Sequence, residues 1–256
     1  MSEPDEVLAV APPARFVTAL HVEFFKLRRS LALLLALVAP ALVSVFVFFN
    51  VLRMERPLDW NISLQTSAAI WAYFMLPMSV TALAALLASS EHVPRAWDTL
   101  RALPVPRWHL YAAKAAVVLA VVAAMSLALA LSTGLALNAA RWLDPSVAPS
   151  GEADVLAYAS LLSRIFVSAL LLVAVQLWIG LRYASFVPTL AVGIGGTFFA
   201  VVATSAKAGV FLPWQIPVNQ LAADPARADL ALLIGGTGGA VILALMLWRL
   251  SVREVL

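Results

Sequence analysis

Six long stretches of the chain contain no Asp, Glu, Lys or Arg: 30–52, 60–90, 115–140, 165–181, 183–206 and 230–248. A helix needs roughly 20 apolar residues to cross about 30 Å of hydrocarbon, and each stretch reaches or approaches that length. The fourth is the shortest, so its helix is expected to begin near Leu156, which puts Arg164 inside its outer part. The pattern predicts an all-α integral membrane protein with six transmembrane helices. With six crossings both termini lie on the same side of the membrane.

Basic residues set the orientation, because cytoplasmic loops are enriched in Lys and Arg. With the N-terminus inside, Arg15, Lys26, Arg28, Arg29, Arg95, Arg101, Arg107, Lys114, Arg182, Arg249 and Arg253 are cytoplasmic. Only Arg53, Arg56, Arg141, Lys207 and Arg227 then lie outside. The chain is therefore expected to be N-in and C-in, in a plasma or bacterial inner membrane.

Ahead of the first span, residues 13–30 predict an amphipathic interfacial helix. At about 100° per residue, Phe16, Val17, Leu20, Phe24 and Leu27 share a face while Arg15, Lys26 and Arg29 gather on another. Glu23 and Lys26 stand three apart and can pair along it. Residues 1–12 are expected to be a flexible tail, and 13–256 a single six-helix transmembrane domain. Glu3, Asp5 and Glu6 give the N-terminus the wrong sign for a cleaved signal peptide. Two connections are long. The inner loop 91–114 is rich in charge. The outer segment 207–229 carries Pro213, Trp214 and Pro217, which forbid a straight helix and suit either a re-entrant half-helix or a surface loop.

Composition agrees with lipid. Hydrophobic residues make up 63% of the chain and charged ones 12%, against about 25% charged in a soluble domain. The basic residues are scattered rather than gathered in a stripe, which argues against nucleic acid as a partner. There is no cysteine, and so no thiolate nucleophile or zinc–thiolate site. No phosphate-binding loop, G-x-S-x-G or H-E-x-x-H motif occurs. His21, His92 and His109 lie far apart at expected membrane edges, as solvated interfacial histidines do. The chain is not expected to be an enzyme or to hold a metal or cofactor itself.

Polar groups within the spans are few: Ser44 and Asn50 in the first, Thr81 in the second, Arg164 and Gln176 in the fourth. Ser44, Asn50, Thr81 and Gln176 are candidates for a substrate path. Arg164 reads as snorkelling to the outer interface. The small-residue runs Gly193-Ile-Gly-Gly196 and Gly235-Gly-Thr-Gly-Gly239 suit close helix packing, within the chain or between two copies.

The inner loop carries the sharpest signal. Pro94 fits the first turn of a short helix, and Pro104 and Pro106 end it. Trp97, Leu100, Arg101 and Leu103 project from about nine residues between them, as a compact knob able to dock a soluble partner or to lie at the headgroups. Three pieces of the chain resemble the membrane subunit of type-2 ATP-binding-cassette (ABC) transporters, above all the bacteriocin- and lantibiotic-immunity permeases. One is Glu23-Phe-Phe-Lys26-Leu-Arg-Arg before the first span. The second is the loop Glu91…Trp97-Asp-Thr-Leu-Arg-Ala-Leu-Pro104-Val-Pro-Arg107…Lys114, with Pro106 where relatives often have a small residue. The third is Leu212-Pro-Trp-Gln-Ile-Pro217.

The resemblance implies a permease that pairs with a second permease, identical or related, and with separate nucleotide-binding subunits that hold ATP and magnesium. It also implies export, and the apolar span walls with their scattered Ser, Thr, Asn and Gln would suit an amphipathic peptide, a lipid-like molecule or a hydrophobic drug. Glu91, Arg95, Trp97, Asp98, Leu100, Arg101, Leu103, Pro104 and Arg107 would then form the ATPase-docking coupling element, with Glu23 and Lys26 orienting the interfacial helix. A non-transporting membrane anchor or sensor, recruiting a cytoplasmic partner through the same loop, is the alternative reading.

Overall fold

A computed structural model of the chain describes residues 16–28, 30–92, 106–183, 185–203 and 207–252. These residues build helices joined by short turns, with one isolated bridge, Asp59 to Ser150, in place of any sheet. The helices are α1 Phe16–Leu27, α2 Leu31–Leu52, α3 Trp60–Ile70, α4 Leu76–His92 and α5 Arg107–Leu143, followed by α6 Val155–Ser168, α7 Leu170–Arg182, α8 Val187–Val202 and α9 Pro225–Val252. A π-helical turn, Trp71–Met75, fuses α3 to α4, and Ala169 joins α6 to α7. Among the described residues, five helical units are long and apolar enough to cross a membrane: Leu31–Leu52, Trp60–Ser89, Arg107–Leu143, Val155–Arg182 and Pro225–Val252.

The fourth span starts at Val155, one residue from its expected start. The fifth differs from expectation. The charge-free stretch 183–206 yields α8 with only 16 residues, about 24 Å at 1.5 Å per residue. Ser185 and Phe186 form a bend before it, and Pro188 fixes its first turn. In contrast, α5 has 37 residues, about 55 Å, and outruns the hydrocarbon. Its first two turns take up residues 107–114, and α4 runs on to His92, so the connection between spans is shorter than the expected loop 91–114.

Packing follows the small-residue rule for helices in lipid, where van der Waals fit rather than water exclusion drives association. On α2, Ala39, Val43, Val47 and Val51 recur every fourth residue and are buried against α5. Leu34, Leu37, Leu42 and Phe46 on the other face are exposed. Pro77, early in α4, cannot donate to the preceding turn, and the backbone widens there into the π turn. Trp71 in that turn is fully buried. At the end of the bundle opposite α1, the Asp59 carboxylate caps α3 by accepting from the Asn61 amide at 2.8 Å. Ser150 pairs its backbone with Leu58 and Trp60. Gly151 adopts a φ of +78°, and a Cβ there would stand 2.8 Å from the Asp59 carboxylate, so this turn needs glycine.

Candidate functional site

The α1 end of the molecule gathers charge in a buried place. α1 packs along the first turns of α5. There Phe16 stacks on Trp108 at 6.5 Å between ring centroids and meets the His109 ring edge-on at 5.9 Å. About two turns further into each helix, the Lys114 ammonium donates to both carboxylate oxygens of Glu23 at 3.0 Å. Lys26 donates to the same carboxylate at 2.9 Å, the pairing expected from its spacing. Lys114 is 1% exposed and Glu23 8%. Ion pairing at this depth constrains how α1 rolls on α5, because turning Glu23 away breaks both of its contacts with the Lys114 ammonium.

That roll sets which part of the expected apolar face of α1 meets α5. Val17 and Phe24 are exposed, and the inward face runs through Phe16, Ala19, Leu20, Glu23 and Leu27. Hydrophobicity groups Val17 and Phe24 with the rest of that face, and the Glu23–Lys114 pair selects the part of it that faces α5. Lys114 closed the quoted loop motif, yet its pairing with Glu23 bridges 91 positions of sequence and has no local signature.

Of the expected docking residues, Arg107 opens α5 and is half-buried. Glu91 lies in the last turn of α4. Arg95, Trp97, Asp98, Leu100, Arg101, Leu103 and Pro104 lie outside the described residues, as does the tail 1–12. The chain leaves α4 and re-enters at α5 on the end that holds Glu23 and Lys114, so residues 93–105 connect there. Among the described residues no three His, Asp or Glu side chains gather as a metal site.

The polar groups inside the spans cross-link helices. Ser44 on α2 is within 2.6 Å of the Ser132 hydroxyl and 3.3 Å of that of Thr133, both on α5. Ser67 on α3 meets the Tyr158 hydroxyl of α6 at 2.6 Å. Gln176 on α7 donates to Thr81 on α4 at 3.1 Å, and Thr81 donates to the Pro77 carbonyl at 2.8 Å. Asn50 is half-buried near the end of α2. Sequence reasoning missed Ser67, Ser132, Thr133 and Tyr158. Hydroxyls are common in apolar helices, and only the partner helix distinguishes these.

At the opposite end, segment 207–221 is built of turns and holds no α-helix. Two 3₁₀ turns, Lys207–Phe211 and Val218–Leu221, flank the prolines, while Trp214, Gln215, Ile216 and Asn219 are buried. The Gln215 amide donates to the Ala203 carbonyl at 2.9 Å, and Gln220 donates to that of Ala228 at 3.0 Å. Arg227 donates to Asn219 at 2.8 Å. Arg164 donates to Gln220 at 3.1 Å and pairs with Asp229 at the start of α9. Arg164 thus clamps this cap between α6 and α9.

The glycines seat inside the chain. A Cβ on Gly235 would fall 2.2 Å from the Ser168 carbonyl oxygen, and one on Gly239 would fall 2.5 Å from Leu170. These two let α9 lie against the bare backbone at the α6–α7 joint. Gly193 instead makes room for the Thr81 and Gln176 side chains, and Gly196 for the Trp214 ring.

Residues 19–204 match the family described as ABC-2 family transporter protein. No curated protein matches the chain, and no solved structure does. The matched region runs from α1 through α8 and takes in both the Glu23–Lys114 pair and the connection between α4 and α5. The chain therefore belongs to the ABC-2 transporter family, as a multi-pass permease component that is not itself the catalytic subunit.

Proposed function

We propose that this chain is the permease subunit of an ATP-driven exporter that works with a second permease, identical or homologous, and with separate nucleotide-binding subunits. ATP and magnesium reside on those partners. Family membership, which implies association with an ATP-binding subunit, supports this reading. In it six helices cross the plasma or inner membrane, α8 included, with both termini cytoplasmic. Glu91, Arg95, Trp97, Asp98, Leu100, Arg101, Leu103, Pro104 and Arg107 form the docking element between α4 and α5.

The observation that carries the reading is the buried contact of Glu23 with Lys26 and Lys114. It ties α1 to α5 seven residues after Arg107, where the connecting segment rejoins the bundle. A push on residues 95–103 by a closing ATPase pair would turn the start of α5, and α1 would move with it as one lever. The hydrogen bonds of Ser44 and of Thr81 with Gln176 then lie on seams that part, with Asn50 further along α2. An amphipathic or hydrophobic substrate, such as a peptide, would pass along those seams. Bacteriocin-immunity-type permeases are the branch whose motifs the chain resembles.

The deciding experiment is a mild-detergent pull-down of the tagged chain with an ATPase assay. Recovery of a phosphate-loop ATPase in about equal amount supports the permease. Replacing Trp97 and Arg101 with alanine is expected to lower transport at least tenfold while insertion stays normal, measured in vesicles. Unchanged transport by that variant would refute the docking role. Recovery of a partner without ATPase activity would move the assignment to an anchor or sensor.

A further inference from the structure

On the α1 end of the bundle, but on other helices, α7 and α9 enclose a cleft of about 520 Å³. On α7, Val175, Ile179 and Arg182 line it at i, i+4 and i+7; on α9, Ile242 and Arg249 do so at i and i+7. Seven residues of helix rise about 10 Å. Both helices therefore present an apolar side chain at depth and a guanidinium at the rim. Trp178 and Tyr183 complete the walls, residue types that favour the headgroup level of a bilayer. Arg182 and Arg249 are both exposed and have no carboxylate partner among the described residues.

We propose that this cleft binds one anionic phospholipid, its phosphate between Arg182 and Arg249 and an acyl chain along Val175, Ile179 and Ile242. Charge complementarity selects the occupant. Two like charges on facing helices repel when the cleft is empty, and a phosphate accepts from both guanidiniums in the forked geometry that suits it. The floor rules for a lipid over a soluble anion, because inorganic phosphate would leave about 10 Å of apolar slot unfilled. Basic pockets between membrane helices on a cytoplasmic face recognise such headgroups on the same physical grounds. The lipid would bridge the ends of α7 and α9, which no ion pair among the described residues joins there.

The test is a lipid titration of the purified full-length chain by native mass spectrometry, comparing phosphatidylglycerol with phosphatidylcholine of the same acyl chains. The first phosphatidylglycerol is expected to bind roughly 30-fold more tightly, the ratio that corresponds to about 1 kcal/mol for each of two arginines near an anionic headgroup. The ratio should fall close to one in the double variant Arg182→Gln, Arg249→Gln. It should persist in Arg53→Gln, Arg56→Gln, which removes the same charge from the opposite end. Ile242→Trp keeps both guanidiniums and fills the floor, and is expected to lose the tight lipid as well. No preference in the unaltered chain, or a preference that survives the double variant, overturns the proposal. So does undiminished binding in Ile242→Trp together with competition by inorganic phosphate, which would assign the rim to a free anion.

Discussion

Glu23 and Lys114 differ in what each leaves behind when removed. Lys114 is 1% exposed, whereas Lys26, the other partner of Glu23, has a side chain 40% exposed. Glu23→Ala takes two accepting oxygens from a buried ammonium and is expected to cost about 3 kcal/mol, the scale for breaking a buried ion pair from one side. Lys114→Met leaves Glu23 paired with Lys26 near the surface and should cost less. The double variant should lose less than the sum of the two, because the contact they share is then lost only once. Thermal unfolding in detergent measures all three, and strict additivity would mean that the pair is not coupled. The Arg164–Asp229 pair offers a contrast. Asp229 has a side chain 69% exposed, so Asp229→Asn should cost less than about 1 kcal/mol in the same assay.

At the scale of elements, the glycines of α8 and α9 separate a packing role from a permissive one. A Cβ at Gly235 meets the Ser168 carbonyl, which is backbone and cannot rotate aside. Gly235→Ala must therefore lift α9 off the α6–α7 joint, at an expected cost of about 2 kcal/mol for overpacking. Gly195 has nothing within 4 Å of its would-be Cβ. Gly195→Ala should be neutral or stabilising by up to about 1 kcal/mol, since alanine favours the helix. Equal effects at the two positions would contradict the close approach of α9. The two glycines share one apolar pattern in sequence, and only the facing backbone at Ser168 tells them apart.

For the molecule as a whole, the short α8 governs topology. If its 16 residues cross the bilayer, Ser185 and Ala223 lie on opposite sides, and the membrane thins locally or the helix ends draw in polar groups. The chain has no cysteine, so single-cysteine variants report position without background. Ala223→Cys is expected to react with a membrane-impermeant maleimide in intact cells, and Ser185→Cys only after permeabilisation. Labelling of both from the same side would leave five crossings and put the termini on opposite faces.

The sequence by itself determined the class of structure and the places where helices run. Crossing hydrocarbon demands long windows without charge, and such windows are local properties that stretches such as 30–52 and 230–248 state openly. It also marked Glu23 with Lys26, because partners three apart on a helix are set by its pitch. Only the tertiary structure decided which faces meet. Lipid is as apolar as leucine, so hydrophobicity does not distinguish Phe24, which is exposed, from Leu64, which is buried. The pairs that fix the arrangement join residues far apart in the chain: Glu23 with Lys114, Ser67 with Tyr158, Arg164 with Asp229. Each needs a partner brought from another helix, and no local pattern encodes where that partner will stand.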